Sequence, residues 1–282
     1  MNRASTFKLR KNRRALSPAI SSVMITGAVV VMLLVTVAFA NNFLNARMAE
    51  NEFSAVKQFM QTAGLQVDDV AWTIGRTQTI RYASKFGLVN FESLALNYTV
   101  YVNDSPVANF TTGILLFNMP SSKYNMGNGY YERILPSSDQ SFLQVGTSAL
   151  VCHVFVIEKL PMVDGNYIRV VVAPSIRMLN STITSGGTTK NYYKFYLPVL
   201  VQGNSPRRSQ SVTLIGTTVN VQSNGNINKI KIHVDFPKAA SAGFDNTFFK
   251  FDDVNETVEG VPSGSIMEFY TGEVIVSLGL SI

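Results

Sequence analysis

Apolar residues follow three successive patterns along this chain: an unbroken block, a helical stripe and a two-residue alternation. No charged residue occurs from Ala15 to Ala46, and Val23 to Ala40 reads VMITGAVVVMLLVTVAFA, interrupted only by Thr26, Gly27 and Thr36. As a helix, Ala19 to Ala40 would measure about 33 Å, enough to cross a hydrocarbon core of about 30 Å. Charges return at Arg47. Beyond it Phe53, Val56, Met60, Ala63, Val67, Val70 and Ile74 recur at alternating spacings of 3 and 4. That spacing is the seam of an amphipathic helix, with Asn51, Glu52, Lys57, Gln58, Gln61, Gln66, Asp68 and Asp69 on its wet side. No proline interrupts Ala19 to Ile74, so the pattern predicts one helix over 16–75, apolar over 19–40 and amphipathic over 47–75. Its seam suits either docking on the chain's own downstream domain or an intersubunit contact.

From Thr77 the period becomes two. Ile230 to Phe236 alternates cleanly, with Lys231, His233 and Asp235 on the polar face, and Val274, Val276, Leu278, Leu280 and Ile282 share one face of a terminal strand. Further strands are expected at Ala95–Val102, Ile114–Phe117, Ala149–Leu160, Tyr167–Ala173, Tyr192–Val201 and Gln210–Val221. Turns are expected at Ser121–Gly129, Asp164–Asn166, Ser185–Gly187, Gly203–Pro206, Ser223–Asn226 and Gly260–Gly264. The fold class is therefore α+β: a long N-terminal helix followed by an all-β, sandwich-like domain over 76–282. That domain is long enough to divide into two modules near 185–190.

Composition changes this picture only where charge is concerned. The net charge is +6 over 282 residues. Six basic residues, Arg3, Lys8, Arg10, Lys11, Arg13 and Arg14, lie in residues 1–15 without an acid, which leaves eighteen basic and eighteen acidic residues for the rest. A nucleic-acid partner gains no net electrostatic support from the main body. Cationic residues before an apolar helix stay cytoplasmic, so the β-domain is expected outside, with the precursor in the cytoplasmic membrane.

The junction Lys11-Asn12-Arg13-Arg14-Ala15-Leu16-Ser17-Pro18-Ala19-Ile20-Ser21 sets two arginines and a small residue before the apolar run. It resembles a class III, prepilin-type leader, and with Ser17-Pro18 the chain resembles an archaeal type IV pilin-like surface protein. The resemblance covers residues 11 to about 46. It implies cleavage after Ala15 by a prepilin peptidase, so that Leu16 becomes the mature N-terminus. The helix is retained, with Ile20, Val23, Ile25, Gly27, Val30, Leu33, Leu34, Val37 and Phe39 forming the core of a homopolymeric cell-surface filament built by a pilus assembly machinery. Bacterial relatives carry glutamate at the fifth mature position, which here is Ile20. Pro18 also suits the first turn of a helix on its own account. The alternative is an extracellular β-domain, minor pilin-like or a binding protein, that stays anchored and never polymerises.

Candidate chemistry is sparse. N-glycan acceptor sequons occur at Asn97, Asn109, Asn180 and Asn255, and Asn103-Asp104-Ser105 is weakened by Pro106. Asn97 falls opposite Tyr98, Val100 and Val102 on its strand, and Asn180 is expected in a loop. Cys152-His153 lies inside an apolar strand whose alternation points the two side chains apart, so they do not form a nucleophile and base. Asp252, Asp253, Asn255 and Glu256 lack the EF-hand spacing and read as a solvated acidic turn. Arg207-Arg208 reads as an exposed loop, and Tyr124–Tyr131, YNMGNGYY, as an aromatic loop suited either to adhesion or to an ordinary turn. Catalytic and metal-site motifs, and with them any implied cofactor, are absent from the sequence.

Overall fold

The computed structural model describes residues 16–137, 141–162, 164–206, 209–237 and 254–279. Helix α1 spans Leu16–Ala71, and the chain forms two compact units that divide at Met48 and Ala49.

In the first unit α1 is exposed on every side from Ile20 to Leu44. Its Val-rich stretch has modest intrinsic helix propensity in water. A medium without competing hydrogen-bond partners favours the helix much more strongly, because only there are all the backbone groups satisfied internally. The two hydroxyls of the run behave accordingly. Thr26 Oγ1 donates to Ser22 O at 2.9 Å and Thr36 Oγ1 to Met32 O at 2.7 Å, so neither needs water.

Among its described residues the second unit contains the rest of α1 and thirteen strands: β1 (Thr77–Arg81), β2 (Leu88–Val102), β3 (Ser105–Pro120), β4 (Tyr130–Leu135), β5 (Leu143–Val145), β6 (Cys152–Glu158), β7 (Tyr167–Pro174), β8 (Ile176–Ser185), β9 (Thr188–Gln202), β10 (Ser211–Ile227), β11 (Ile230–Asp235), β12 (Val254–Val258) and β13 (Ser265–Leu278). One sheet has the order β1-β10-β13-β9-β8-β5 and the other β12-β11-β2-β3-β7-β6-β4. Pairing is antiparallel except for β9 with β13 and β5 with β8. Asn103 and Asp104, with φ of 51° and 66°, make the tight β2–β3 turn in left-handed conformations that Asn and Asp tolerate better than most residues.

Two apolar cores result. In one, Leu96, Tyr98, Ile114, Phe155, Val171, Phe195 and Phe269 fill the space between the sheets. In the other, the α1 seam packs on Leu115, Phe117, Val154, Val156, Val170 and Val172, joined by Leu214, Val274 and Val276. Strands β6 and β7 and the second half of β3, from Thr112, are thus covered on both faces, by the helix on one and the opposite sheet on the other. Residues 185–190 form the tip of the β8–β9 hairpin inside one sheet, and the β-rich residues belong to a single compact unit, so a second module does not begin there.

Ile74 is a correction to the helical reading. The helix ends at Ala71, Gly75 takes a left-handed φ of 82° and donates its N–H to Gly216 O at 2.8 Å, and β1 starts two residues later. Ile74 therefore lies in the connecting turn and is 69% exposed. Ser223–Asn226 belongs to β10 rather than to a turn. The β10–β13 register shifts between Asn224 and Ile227, where Asn226 has a φ of 56°, so the polar residues mark a bulge.

Candidate functional site

The distinguishing feature of the first unit is its apolar surface. Fifteen large apolar side chains between Ile20 and Leu44 are exposed, including Val23 and Phe39 at 72%. Ile25, Val30, Leu33, Leu34 and Val37 belong to the same surface, and an added Cβ at Gly27 would meet nothing within 4 Å. At roughly 1.5–3 kcal/mol for each large apolar side chain fully buried, exposure to water on this scale costs on the order of tens of kcal/mol. That exceeds the roughly 5–15 kcal/mol by which a domain is stable. By length and composition the helix is apolar enough to cross a membrane. Leu16 is the first residue of α1; Arg13, Arg14 and Ala15 lie outside the described residues.

In the second unit α1 is held firmly. Phe53, Val56, Met60, Ala63, Val67 and Val70 are each no more than 3% exposed. Gly64 brings the helix against β6 and β7, because a Cβ there would sit 2.8 Å from Val154 Cγ2 and 3.7 Å from Cys152 Cβ. At the helix end, a Cβ on Gly272 would meet Ala71 O at 2.3 Å. Polar side chains complete the attachment. The Glu52 carboxylate accepts from Ser84 Oγ at 2.5 Å and from the N–H groups of Lys85, Phe86 and Gly87 at 2.9–3.2 Å. Lys57 Nζ donates to both Glu132 oxygens at 2.9 and 3.0 Å. Asp68 receives Trp72 Nε1 at 2.7 Å and Arg177 Nη1 at 2.9 Å. The sequence shows these charges on the wet side of the helix, but not their distant partners Ser84, Glu132 and Arg177, which lie 32, 75 and 109 residues away.

The remaining candidates that the structure describes have partners within the fold. Cys152 is buried on the helix side of β6, where burial pushes its thiol pKa well up. His153 faces the other way, with Nε2 at 2.9 Å from Ser141 O and its ring 4.9 Å from that of Phe142. Glu256 lies in β12, not in an acidic turn, and accepts from Ser141 Oγ at 2.6 Å and Phe142 N at 3.1 Å. Asp252, Asp253, Arg207 and Arg208 lie outside the described residues. Tyr130 and Tyr131 begin β4 rather than lying in a loop, and the 124–129 loop is pinned rather than free. Glu158 Oε2 accepts from Met126 N at 2.6 Å, Asn128 Oδ1 accepts from Leu160 N at 2.7 Å, and the Tyr124 ring packs 5.0 Å from that of Phe53. Tyr130 donates to Glu132 Oε2, and its pKa is pushed up to about 12 by burial and by that bond.

Among the sequons, Asn109, Asn180 and Asn255 are exposed and Asn97 is half-buried. Asn180 sits within β8 rather than in a loop, since β8 continues as an exposed hairpin arm to Ser185. Among the described residues no three His, Cys, Asp or Glu side chains gather in a metal-binding group. An open depression of about 410 Å³ is lined by Leu65, Asp68, Asp69, Trp72, Thr73 and Arg177, and its charges are already paired: Asp68 with Arg177, and Asp69 with Arg76. No protein-family model, curated protein or solved structure matches this chain.

Proposed function

We propose that the chain is the precursor of a structural subunit of a type IV pilus-like surface filament. Its leader is removed after Ala15, and its apolar helix exchanges lipid for the helices of other copies. The observation that carries this reading is the exposed apolar surface from Ile20 to Leu44, on a helix whose following half is anchored in a folded β-domain. Transfer from lipid to a helix bundle gains little from hydrophobicity alone. Close packing must supply the drive, and Gly27, Ala28 and Ala38 permit close approach. Removing the leader matters for a separate reason. Six basic residues carried into an apolar filament core would be unpaired charges in a medium of low dielectric, and their cost forbids assembly.

Ala15→Trp in the full chain, produced in its own cells, tests the order of events. Blocked cleavage should leave the chain in the membrane, with no filaments in electron micrographs where the unaltered chain forms them. Filaments built from an uncleaved variant would refute the proposed route. A permanently anchored β-domain would show neither processing nor filaments in the unaltered chain, and processing without filaments would leave a minor pilin-like protein.

A further inference from the structure

Three of the four acceptor sequons converge on one face of one sheet. Antiparallel pairing sets Asn97 opposite Thr111 and Thr99 opposite Asn109, so the sequons 97–99 and 109–111 lie side by side in opposite directions. Strand β11 continues the rows with His233 opposite Thr99 and Asp235 opposite Asn97. Strand β12 then sets Asn255 opposite His233 and Thr257 opposite Lys231. Directly opposed residues project to the same face, so Asn109, Thr99, His233 and Asn255 form one row, and Thr111, Asn97 and Asp235 the next. The alternate residues Tyr98, Val100, Ile232 and Val234 are buried beneath them. Asn109, Thr111, Asn255 and Thr257 are exposed, and Asn97 and Thr99 half-buried.

We infer that this strip is the saccharide-bearing face of the β-domain, N-linked at Asn97, Asn109 and Asn255, and that it is therefore not a contact between subunits. The inference rests on the reading that the β-domain lies outside the cell. In each transfer the amide Nδ2 bonds to the anomeric carbon of a lipid-phosphate-linked saccharide. The bond from that carbon to the phosphate oxygen breaks, its electron pair leaves on the phosphate, and Nδ2 loses one proton. Asparagine and the hydroxyl two residues on stand on the same side of an extended strand, so each of the three sequons presents both groups outward together. Strand β2 is paired with β3 on one edge and β11 on the other at Asn97, and Asn97 Oδ1 accepts from Thr111 Oγ1 at 3.3 Å. Asn97 thus lies inside the sheet with its amide oxygen engaged, whereas Asn255 lies on an edge strand.

The test is peptide mapping by mass spectrometry of the full chain recovered from its own cells, beside protease treatment of the intact cells. The expected result is saccharide mass on the peptides containing Asn97, Asn109 and Asn255 in most molecules, with the domain cleaved from intact cells. Bare peptide mass at any of the three, in a domain that surface protease does remove, overturns the inference while leaving the outward-facing reading in place. A domain protected from protease on intact cells overturns the topology, and the inference with it.

Discussion

Gly64 would ordinarily weaken a helix by about 1 kcal/mol relative to alanine. Here its missing methyl lets α1 lie against Val154 and Val172. Overpacking at such a contact typically costs about 1–3 kcal/mol, so Gly64→Val is expected to lower the melting temperature of the full chain in detergent, although valine is a better helix former than glycine. Cys152 lies beneath the same contact. Its thiol should react with maleimide only as the domain unfolds, at a rate that follows denaturant concentration. Two tyrosines give the fold an alkaline limit. Tyr270, through its hydrogen bond to Glu268 and then burial, and Tyr130, through burial and then its bond to Glu132, have pKa values raised to about 12. An unfolded tyrosine ionises near pH 10. Since the folded values lie higher, the unfolded chain loses these protons first. The tyrosines' contribution to stability is then complete below about pH 10 and lost as pH rises to about 12. Denaturation midpoints should fall across that window, and less so in the double variant Tyr130→Phe, Tyr270→Phe.

The two halves of α1 are expected to respond oppositely to mutation. Met60 is fully buried, and Met60→Ala should cost about 2–5 kcal/mol. Leu34 is 65% exposed, and Leu34→Ala should leave the thermal transition of the β-domain unchanged in detergent. Equal destabilisation by both would mean that the first half also packs on the domain. Both halves were legible in the sequence because each has one kind of surroundings along its whole length. Strand β11 was legible for the same reason, having one wet and one dry face. Strand β6, expected within Ala149–Leu160, was legible as an apolar run rather than by a period, because Val154 meets the helix and Phe155 the other sheet and both are apolar. Strands β1, β4, β5, β8 and β12 carried too few apolar residues or were too short to signal themselves. The bulge at Asn226 imitated a turn because both call for a left-handed residue. The convergence of the sequons on one face was invisible for a further reason: strand alternation gives a side to each asparagine, but only the pairing register joins the sides of β2, β3 and β12.

At the scale of the whole molecule, charge and hydrophobicity are segregated along the chain. All of the net positive charge lies in residues 1–15, the apolar block follows, and the remaining residues balance. This order fits a protein that enters the membrane N-terminus inward, is anchored there, and can enter an apolar bundle once its charged end is removed. On the proposed function the exposed apolar surface is a stored interface, covered by lipid before assembly and by other copies after it. Its retention is the central claim, and the N-terminal residue of the chain isolated from the cell surface tests it most directly. The account predicts Leu16 as the first residue, with the helix intact. A surface chain beginning downstream of Ala40 would contradict it, because the segment assigned to the filament core would have been discarded.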